Sequence, residues 1–470
     1  ALHGRAAVVF AQLITKGVNH GVHAFYVPIR DHEGNFFPGV GGEDDGLKGG
    51  LNGIDNGRLH FDNVRVPRTN LLNRYGDVAE DGTYTSPIAS PGRRFFTMLG
   101  TLVQGRVSLD GAAVNASKLA LQIAVTYGNQ RRQFGQPGEG ETVLLDYQRH
   151  QRRLIPLIAT TYAQAFSQEV LLEKFDSVFS GADDTDDNRQ DLETLAAALK
   201  PLSTWHALHT LQEAREACGG QGFLAENRLT ALRADMDIYV TFEGDNNVLL
   251  QLVAKRLLTD YSRKFKDADT GTLARLVMEQ VTERAVTGSG LRRLGQNVHD
   301  RGSTARAVKE LRDPEMQRDL LTDRVETMIS EIALELRDAK KSKTEAEVFN
   351  QKQSLLIEAA AAHGQLLQWE AFTEALEKIE DEGTRQVLTW VRDLFGLHLV
   401  EQNLAWYLMK GRLSAQRAEA VTAYVDRLIS RIRNHAQGLV DAFGYGPEHL
   451  RAEIATGIEG IRQEEARHYF

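Results

Sequence analysis

The feature that most constrains this chain is a change of hydrophobic rhythm near residue 94. Before that point apolar residues come in short runs and alternations broken by Gly, Asn and Pro. After it they recur every three or four positions over long stretches. Side chains alternate faces along a strand and return to one face every 3.6 residues along a helix, so the first pattern suits strands and the second amphipathic helices. The fold class that follows is α+β, mainly α. At about 150 residues per domain, 470 residues accommodate three parts. These are a partial β domain with connector (1–92), a helical bundle (93–264) and a C-terminal helical domain (265–470).

Within the first part, AAVVFAQLI and GVHAFYVPIR read as strands. Asn56-Gly57 reads as a hairpin turn, since both residues tolerate positive φ. Leu59, Phe61, Val64 and Val66 then alternate with polar residues until Pro67 ends the strand. The spacing from Arg93 to Phe134 predicts one long helix weakened by Gly100, Gly105 and Gly111. A second helix runs from about Leu144 to Phe175, with Pro156 expected to bend it. The acidic GADDTDDNRQD reads as a solvated loop. A third helix stops at Gly219-Gly220, and a fourth starts after Gly244 with Asp245 as N-cap. No fixed-period repeat is visible.

Composition removes several classes of function. Asp+Glu number 64 against 55 Lys+Arg, a net charge of −9, which disfavours a nucleic-acid partner. No uncharged apolar run reaches the roughly 18 residues that a membrane-spanning helix needs. The single cysteine, Cys218, excludes an intramolecular disulfide and a Cys-based structural zinc site. The opening ALHGRAAVVF has no basic segment ahead of an apolar core, so it does not read as a signal peptide. The final ARHYF is not the Ser-Lys-Leu peroxisomal address. Together these predict a bacterial cytoplasmic protein. His20 with His23, and His206 with His209, have a spacing that could suit a metal, but no third and fourth ligand is evident, so no metal is expected. PGVGGEDDGLKGG lacks the Lys-Ser/Thr of a phosphate loop and reads as a connector between strands. Cys218 reads as a small apolar residue, and Ser108 and Ser117 have no His/Asp arrangement visible in sequence.

Four segments of the first helical block stand out: QGRVSLDGAA, RRQFG, CGGQGF and TFEGDNN. Taken alone, each has a structural explanation. Arginines near a helix C-terminus complement its dipole. CGGQGF follows a helix rather than a strand, which removes the dinucleotide-binding reading and leaves a helix-ending glycine pair. A Glu beside an N-cap also complements a dipole. Glu243, however, lies between Phe242 and Gly244 with Ile238, Tyr239 and Val240 close behind. A carboxylate in apolar surroundings holds a proton more tightly than one in water and can serve as a base. Gly244 would let a backbone N–H approach a ligand closely, and the helix start behind it favours anionic groups.

RRQFG, LLDYQ, CGGQGF and FEGDN, in this order, resemble the acyl-CoA dehydrogenase and acyl-CoA oxidase superfamily. The β segment from GVHAFYVPIRD to NRYGDVAEDGTY and the C-terminal HAQGLVDAFGY resemble acyl-CoA oxidases specifically. The resemblance implies an FAD-dependent enzyme that oxidises a fatty acyl-CoA to trans-2-enoyl-CoA and passes electrons to molecular oxygen, releasing hydrogen peroxide. It implies Glu243 as catalytic base. The backbone N–H of Glu243, with a flavin hydroxyl, would polarise the thioester carbonyl. Arg131, Phe134 and Gln148 would contact FAD, Arg131 reaching the flavin of a neighbouring subunit. Gly219 and Gly220 would lie against the adenine end, and Asp245 and Asn247 near the pyrophosphate and adenosine. Arg106 and Gly244 would face the substrate. Glu216 stands where several dehydrogenases have Gln. A flavin shared across subunits implies at least a homodimer with the first helical block at its interface. The family's N-terminal helical domain has no counterpart here, so residues before Ala1 or a further chain are expected to supply it. Two other readings remain: a dehydrogenase that uses an electron-transfer flavoprotein, and a non-catalytic scaffold subunit.

Overall fold

A computed structural model describes residues 3–98, 100, 102–135, 140–266, 304–342 and 344–466. The stretch 267–303, within the expected C-terminal domain, lies outside the described residues. The chain forms two compact units, Ala1–Gly105 and Arg106–Phe470.

In the first unit, β1 (Ala6–Thr15) and β2 (Val18–Pro28) pair antiparallel. Lys16 and Gly17 join them, with φ of 48° and 77°. Two positive φ values suit the two-residue turn whose twist matches that of the strands. The turn expected at Asn56-Gly57 is not one. Gly57 instead opens β4 (Gly57–Phe61), which pairs with β3 (Val40–Asp44) across a longer loop. β3 also takes in part of the glycine-rich stretch read as a connector. β4 stops at Phe61 because Asn63 turns left-handed (φ 51°), leaving Val64 and Val66 outside the strand. Two short strands, β5 (Asp77–Val78) and β6 (Tyr84–Thr85), and helix α1 (Pro91–Met98) follow. Ala24, Val27, Ile29, Leu71 and Val78 are buried. His23 is buried with them, Nδ1 3.0 Å from the Gly21 carbonyl and Nε2 3.0 Å from the Tyr84 hydroxyl. Burial holds its pKa below the ordinary value, so both ring nitrogens serve structure.

The second unit is helical. α2 (Leu102–Gln130) ends at Gln130 rather than reaching Phe134. Phe134 is left-handed (φ 56°), and Arg132–Gln133 (β7) pairs with Thr142–Val143 (β8). α3 (Gln148–Phe179) runs through Pro156, and α4 (Asp186–Ala217) runs through Pro201. The Thr185 hydroxyl accepts the Asn188 N–H to cap α4, whose first turn carries Asp186 and Asp187, both placements that favour a helix start. α5 (Leu229–Asp237) and α6 (Asn246–Lys266) complete the bundle.

Later helices close over the same core. Leu121, Ile123, Leu154, Ile155, Ile158 and Leu211 share one buried cluster with Leu394, Phe395, Val421, Leu428 and Ile432. Each such side chain contributes about 1.5–3 kcal/mol when fully buried. Tyr162 and Phe166 of α3 pack on Phe372, and Tyr162 also packs on Phe443. Arg152 of α3 pairs with Asp426 at 2.8 Å and with Glu401, joining three helices through one guanidinium. The two helical blocks distinguished in sequence thus lie in one compact unit. Among the described residues no helix is long and apolar enough to cross a membrane.

Candidate functional site at two ends of one helix

Glu243 occupies the turn between α5 and α6. It is half-buried, and its φ is 54°, with Gly244 following at 103°. A left-handed residue with a side chain costs about 1–2 kcal/mol, so surrounding contacts must hold it. A Cβ on Gly244 would stand 2.9 Å from Leu249 Cδ2, so both the dihedral and the neighbour require glycine there. Asp245 caps α6, its Oδ1 accepting the Asn247 N–H at 2.9 Å, as the sequence predicted. Asn247 is exposed, while Asn246 is buried, its amide donating to Thr204 Oγ1 at 3.0 Å.

Two cations hold this turn from below. Arg106 Nε donates to the Glu243 carbonyl at 3.3 Å, and its Nη1 lies 3.6 Å from Glu193. Lys200, fully buried in α4, donates to the carbonyls of Phe242 (3.1 Å) and Gly244 (2.9 Å) and to Asn246 Oδ1 (2.9 Å). Burial pulls the Lys200 ammonium down to about 8, opposed by the nearby carboxylates of Asp245 and Glu243 and reinforced by Arg106. One turn along α2 from Arg106, Asp110 is buried facing Ser203, and desolvation raises its carboxyl to about 7.

The other candidates gather at the opposite end of α2, about 36 Å away for the span Arg106 to Gln130 at ~1.5 Å per residue. Arg131 pairs with Glu459 at 3.1 Å. Glu459 is itself buried and also accepts from Gln463 at 2.7 Å. Phe134 is 75% exposed. Gln148 opens α3 and is exposed; the Tyr147 hydroxyl beside it donates to the Gln133 carbonyl at 2.8 Å. Gly219 and Gly220 are exposed at the end of α4, and among the described residues no heavy atom lies within 4 Å of where a Cβ would stand on either. Ion pairs from Arg153 of α3 to Glu213 (2.7 Å) and Glu216 (3.0 Å) of α4 bring these helix ends together. Glu216 is thereby occupied; hydrogen bonding from Gln212 and the charge of Arg153 keep its pKa below the ordinary value.

The structure therefore groups Glu243, Gly244, Asp245, Asn247 and Arg106 at one end, and Arg131, Phe134, Gln148, Gly219 and Gly220 at the other. Sequence reasoning missed Lys200, Glu193 and Glu459. The signal for Lys200 was present: a lone cation within AAALKPL, whose neighbours from Ala196 to Leu199 are all buried. Of the other candidates, Cys218 is buried, which raises its thiol pKa to about 12. His206 is half-buried, with Nε2 2.9 Å from Thr161 Oγ1. Among the described residues no group of three or more His, Cys, Asp or Glu could hold a metal ion.

Residues 99–258 match the family model described as "Acyl-CoA oxidase, C-alpha1 domain", and residues 313–456 match the model described as "Acyl-CoA oxidase". Acyl-coenzyme A oxidase 2, peroxisomal, from Arabidopsis thaliana is 39% identical over 98% of this chain and 66% of its own length. The acyl-coenzyme A oxidase-like protein of Mus musculus is 36% identical over 99% of this chain and 72% of its own. The structure of acyl-CoA oxidase-1 in Caenorhabditis elegans, complexed with FAD and ATP, aligns with a TM-score of 0.79 at 25% identity, covering 98% of this chain and 66% of that one. The chain thus spans about two thirds of the length of the relatives it matches. Relatives from Arabidopsis thaliana and Homo sapiens carry peroxisomal names, which overturns the expectation of a bacterial cytoplasmic location; a missing Ser-Lys-Leu ending was too weak a signal to carry it. On these matches, the chain belongs to the acyl-CoA oxidase family.

Proposed function

We propose that this chain forms part of an enzyme that oxidises a fatty acyl-CoA to trans-2-enoyl-CoA in the first step of fatty-acid β-oxidation, reducing dioxygen to hydrogen peroxide. The observation that carries this reading is the Glu243 turn. A half-buried carboxylate sits on a left-handed backbone held by two cations, in a chain of this family. The peroxisomal names of its relatives support a peroxisomal setting. Their names as oxidases favour oxygen over an electron-transfer flavoprotein as acceptor.

In this reading Glu243 takes the proton from the carbon next to the thioester carbonyl. The Glu243 N–H donates to that carbonyl oxygen, where negative charge grows as the proton leaves. Gly244, with no side chain, leaves the backbone beside it open to the thioester. FAD, when bound, supplies the acceptor for the hydride leaving the next carbon and the two-electron route to dioxygen. The residues present fit that group. Gly219 and Gly220 leave open space at the end of α4, Phe134 offers an exposed ring, and Arg131 offers a cation. Asp245 and Asn247 stand at the exposed start of α6. That a related structure is complexed with FAD supports the choice of cofactor.

The separation of the two groups along α2 supports a homodimer. Glu243 of one copy and Arg131, Phe134, Gln148, Gly219 and Gly220 of another would complete each site, since one rigid helix keeps them apart within a copy. The test is acyl-CoA-dependent peroxide production by the FAD-loaded protein. Glu243→Gln keeps the shape and removes the base, and turnover is expected to fall about 10²–10⁴-fold. A Glu243→Gln variant as active as wild type removes Glu243 from this role. Turnover with an artificial dye but no peroxide would replace oxygen as acceptor.

A further inference from the structure

Three consecutive carbonyls, those of Phe242, Glu243 and Gly244, are each held by a cationic side chain. Lys200 holds the outer two and Arg106 holds the middle one. At a helix start the backbone groups that ordinarily need outside partners are N–H donors; here it is the carbonyls just ahead of α6 that are held, and by cations. The turn cannot relax toward a right-handed backbone without pulling at least one carbonyl off a donor, because each flanks or belongs to the left-handed pair Glu243-Gly244. Lys200 is also committed on its remaining proton, to Asn246 Oδ1, and Asn246 is anchored in turn on Thr204 and the Pro201 carbonyl. The chain of contacts thus runs from the rigid middle of α4, through Lys200 and Asn246, into the first turn of α6.

We infer that Lys200 is a positioning residue for the proposed base: its three donors fix the backbone on both sides of Glu243 and thereby aim the carboxylate. This deepens the functional reading above and rests on it. Lys200 touches no reacting atom; it acts through the turn. A buried ammonium with apolar helix neighbours is otherwise a burden on the fold, and here every N–H it carries ends on the Glu243 turn or on Asn246, the first residue of α6.

The experiment compares wild type, Glu243→Gln, Lys200→Gln and Lys200→Arg as FAD-loaded protein. It measures kcat, KM and amide hydrogen exchange of peptides covering 242–246 and the body of α4. Lys200→Gln is expected to lower kcat about 100-fold, the loss that about 1 Å of misplacement can cause, while KM stays within about threefold. Exchange at 242–246 should quicken while α4 keeps its protection. Lys200→Arg, which retains charge and donors, should recover part of kcat. A folded Lys200→Gln variant with kcat within about threefold of wild type overturns the inference. So does a loss of kcat accompanied by faster exchange along all of α4, which would make Lys200 merely structural. If Lys200→Gln does not fold, Lys200→Met, which keeps the stem and removes every donor, carries the same exchange test: unchanged exchange at 242–246 with unchanged kcat overturns the inference. Wild type that makes no peroxide defeats the functional reading instead, and the exchange measurement still decides whether Lys200 holds the turn.

Discussion

The two ends of α2 differ in how finished they are. At the Arg106 end Lys200, Arg106 and Asn246 of the chain itself close on one turn. At the Arg131 end Phe134, Gln148, Gly219 and Gly220 are exposed among the described residues. A buried ammonium needs its hydrogen bonds supplied by the same fold that buries it. An exposed ring and bare glycines at a helix end need nothing from the fold and gain only when something docks there. In the proposed reading, one copy supplies the base and only the receiving half of a cofactor site.

The strongest way to break this comparison is to divide the two ends between copies. Glu243→Gln and Arg131→Ala should each be nearly inactive, yet mixing them under conditions that exchange subunits should restore roughly a quarter of wild-type peroxide production, the share of sites in random symmetric dimers that inherit both intact ends. No recovery on mixing would mean both ends act within one copy.

A second measurement uses pH. Asp110, near the Glu243 end, has its pKa raised to about 7 by burial. A raised carboxyl pKa favours folding at low pH, and that contribution is lost as pH rises from the unfolded value through 7. Asp110→Asn should therefore raise Tm at pH 8, by on the order of 4 kcal/mol in stability, and leave Tm unchanged at pH 4. His150 of α3, beside Gly128 at the other end, is lowered to about 4, by burial first and by Arg153 second. A lowered histidine favours folding above its ordinary value, and that contribution is lost as pH falls toward 4. His150→Gln should flatten the acid side of the stability profile and leave the alkaline side alone. Thermal melts from pH 4 to 8 read both; matching slopes for the two variants would erase the distinction between the ends.

The smallest effect sharpens the role of Arg131. Its partner Glu459 is buried, so Arg131→Ala strands a carboxylate and should lower stability by about 1–2 kcal/mol, less than for a fully buried pair because Arg131 is partly exposed. Arg131→Ala with Glu459→Gln should recover Tm but not FAD affinity, read by flavin fluorescence. Recovery of both would make Arg131 structural only.

Much of the architecture was legible because it depends on local pattern. The switch of period near residue 94, the N-cap at Asp245 and the end of α4 at the glycine pair each follow from a few adjacent residues. The misread turns have a shared cause. Asn56-Gly57 has the right chemistry for a two-residue hairpin, but the register of β3 against β4 places Gly57 in a strand. Lys16-Gly17, a plainer pair, makes the tight turn instead. α2 was drawn too long because nothing local marks Phe134 as left-handed. For the candidate site, the residues quoted from motifs were visible and their grouping was not. Sorting them to opposite ends of α2 requires knowing which helices run side by side. Lys200 escaped notice because its partners are backbone carbonyls more than 40 residues away, and carbonyls have no signature in sequence.

The shared core has a consequence for dissection of the molecule. Cutting after α6 would leave Tyr162 and Phe166 without the rings of Phe372 and Phe443, and Arg152 without both of its carboxylates. The fragment would carry a wet greasy flank and a stranded guanidinium, conditions under which isolated helices stick to one another. The C-terminal helices therefore serve as the lid of the bundle, and shortening the chain from that side exposes an adhesive surface.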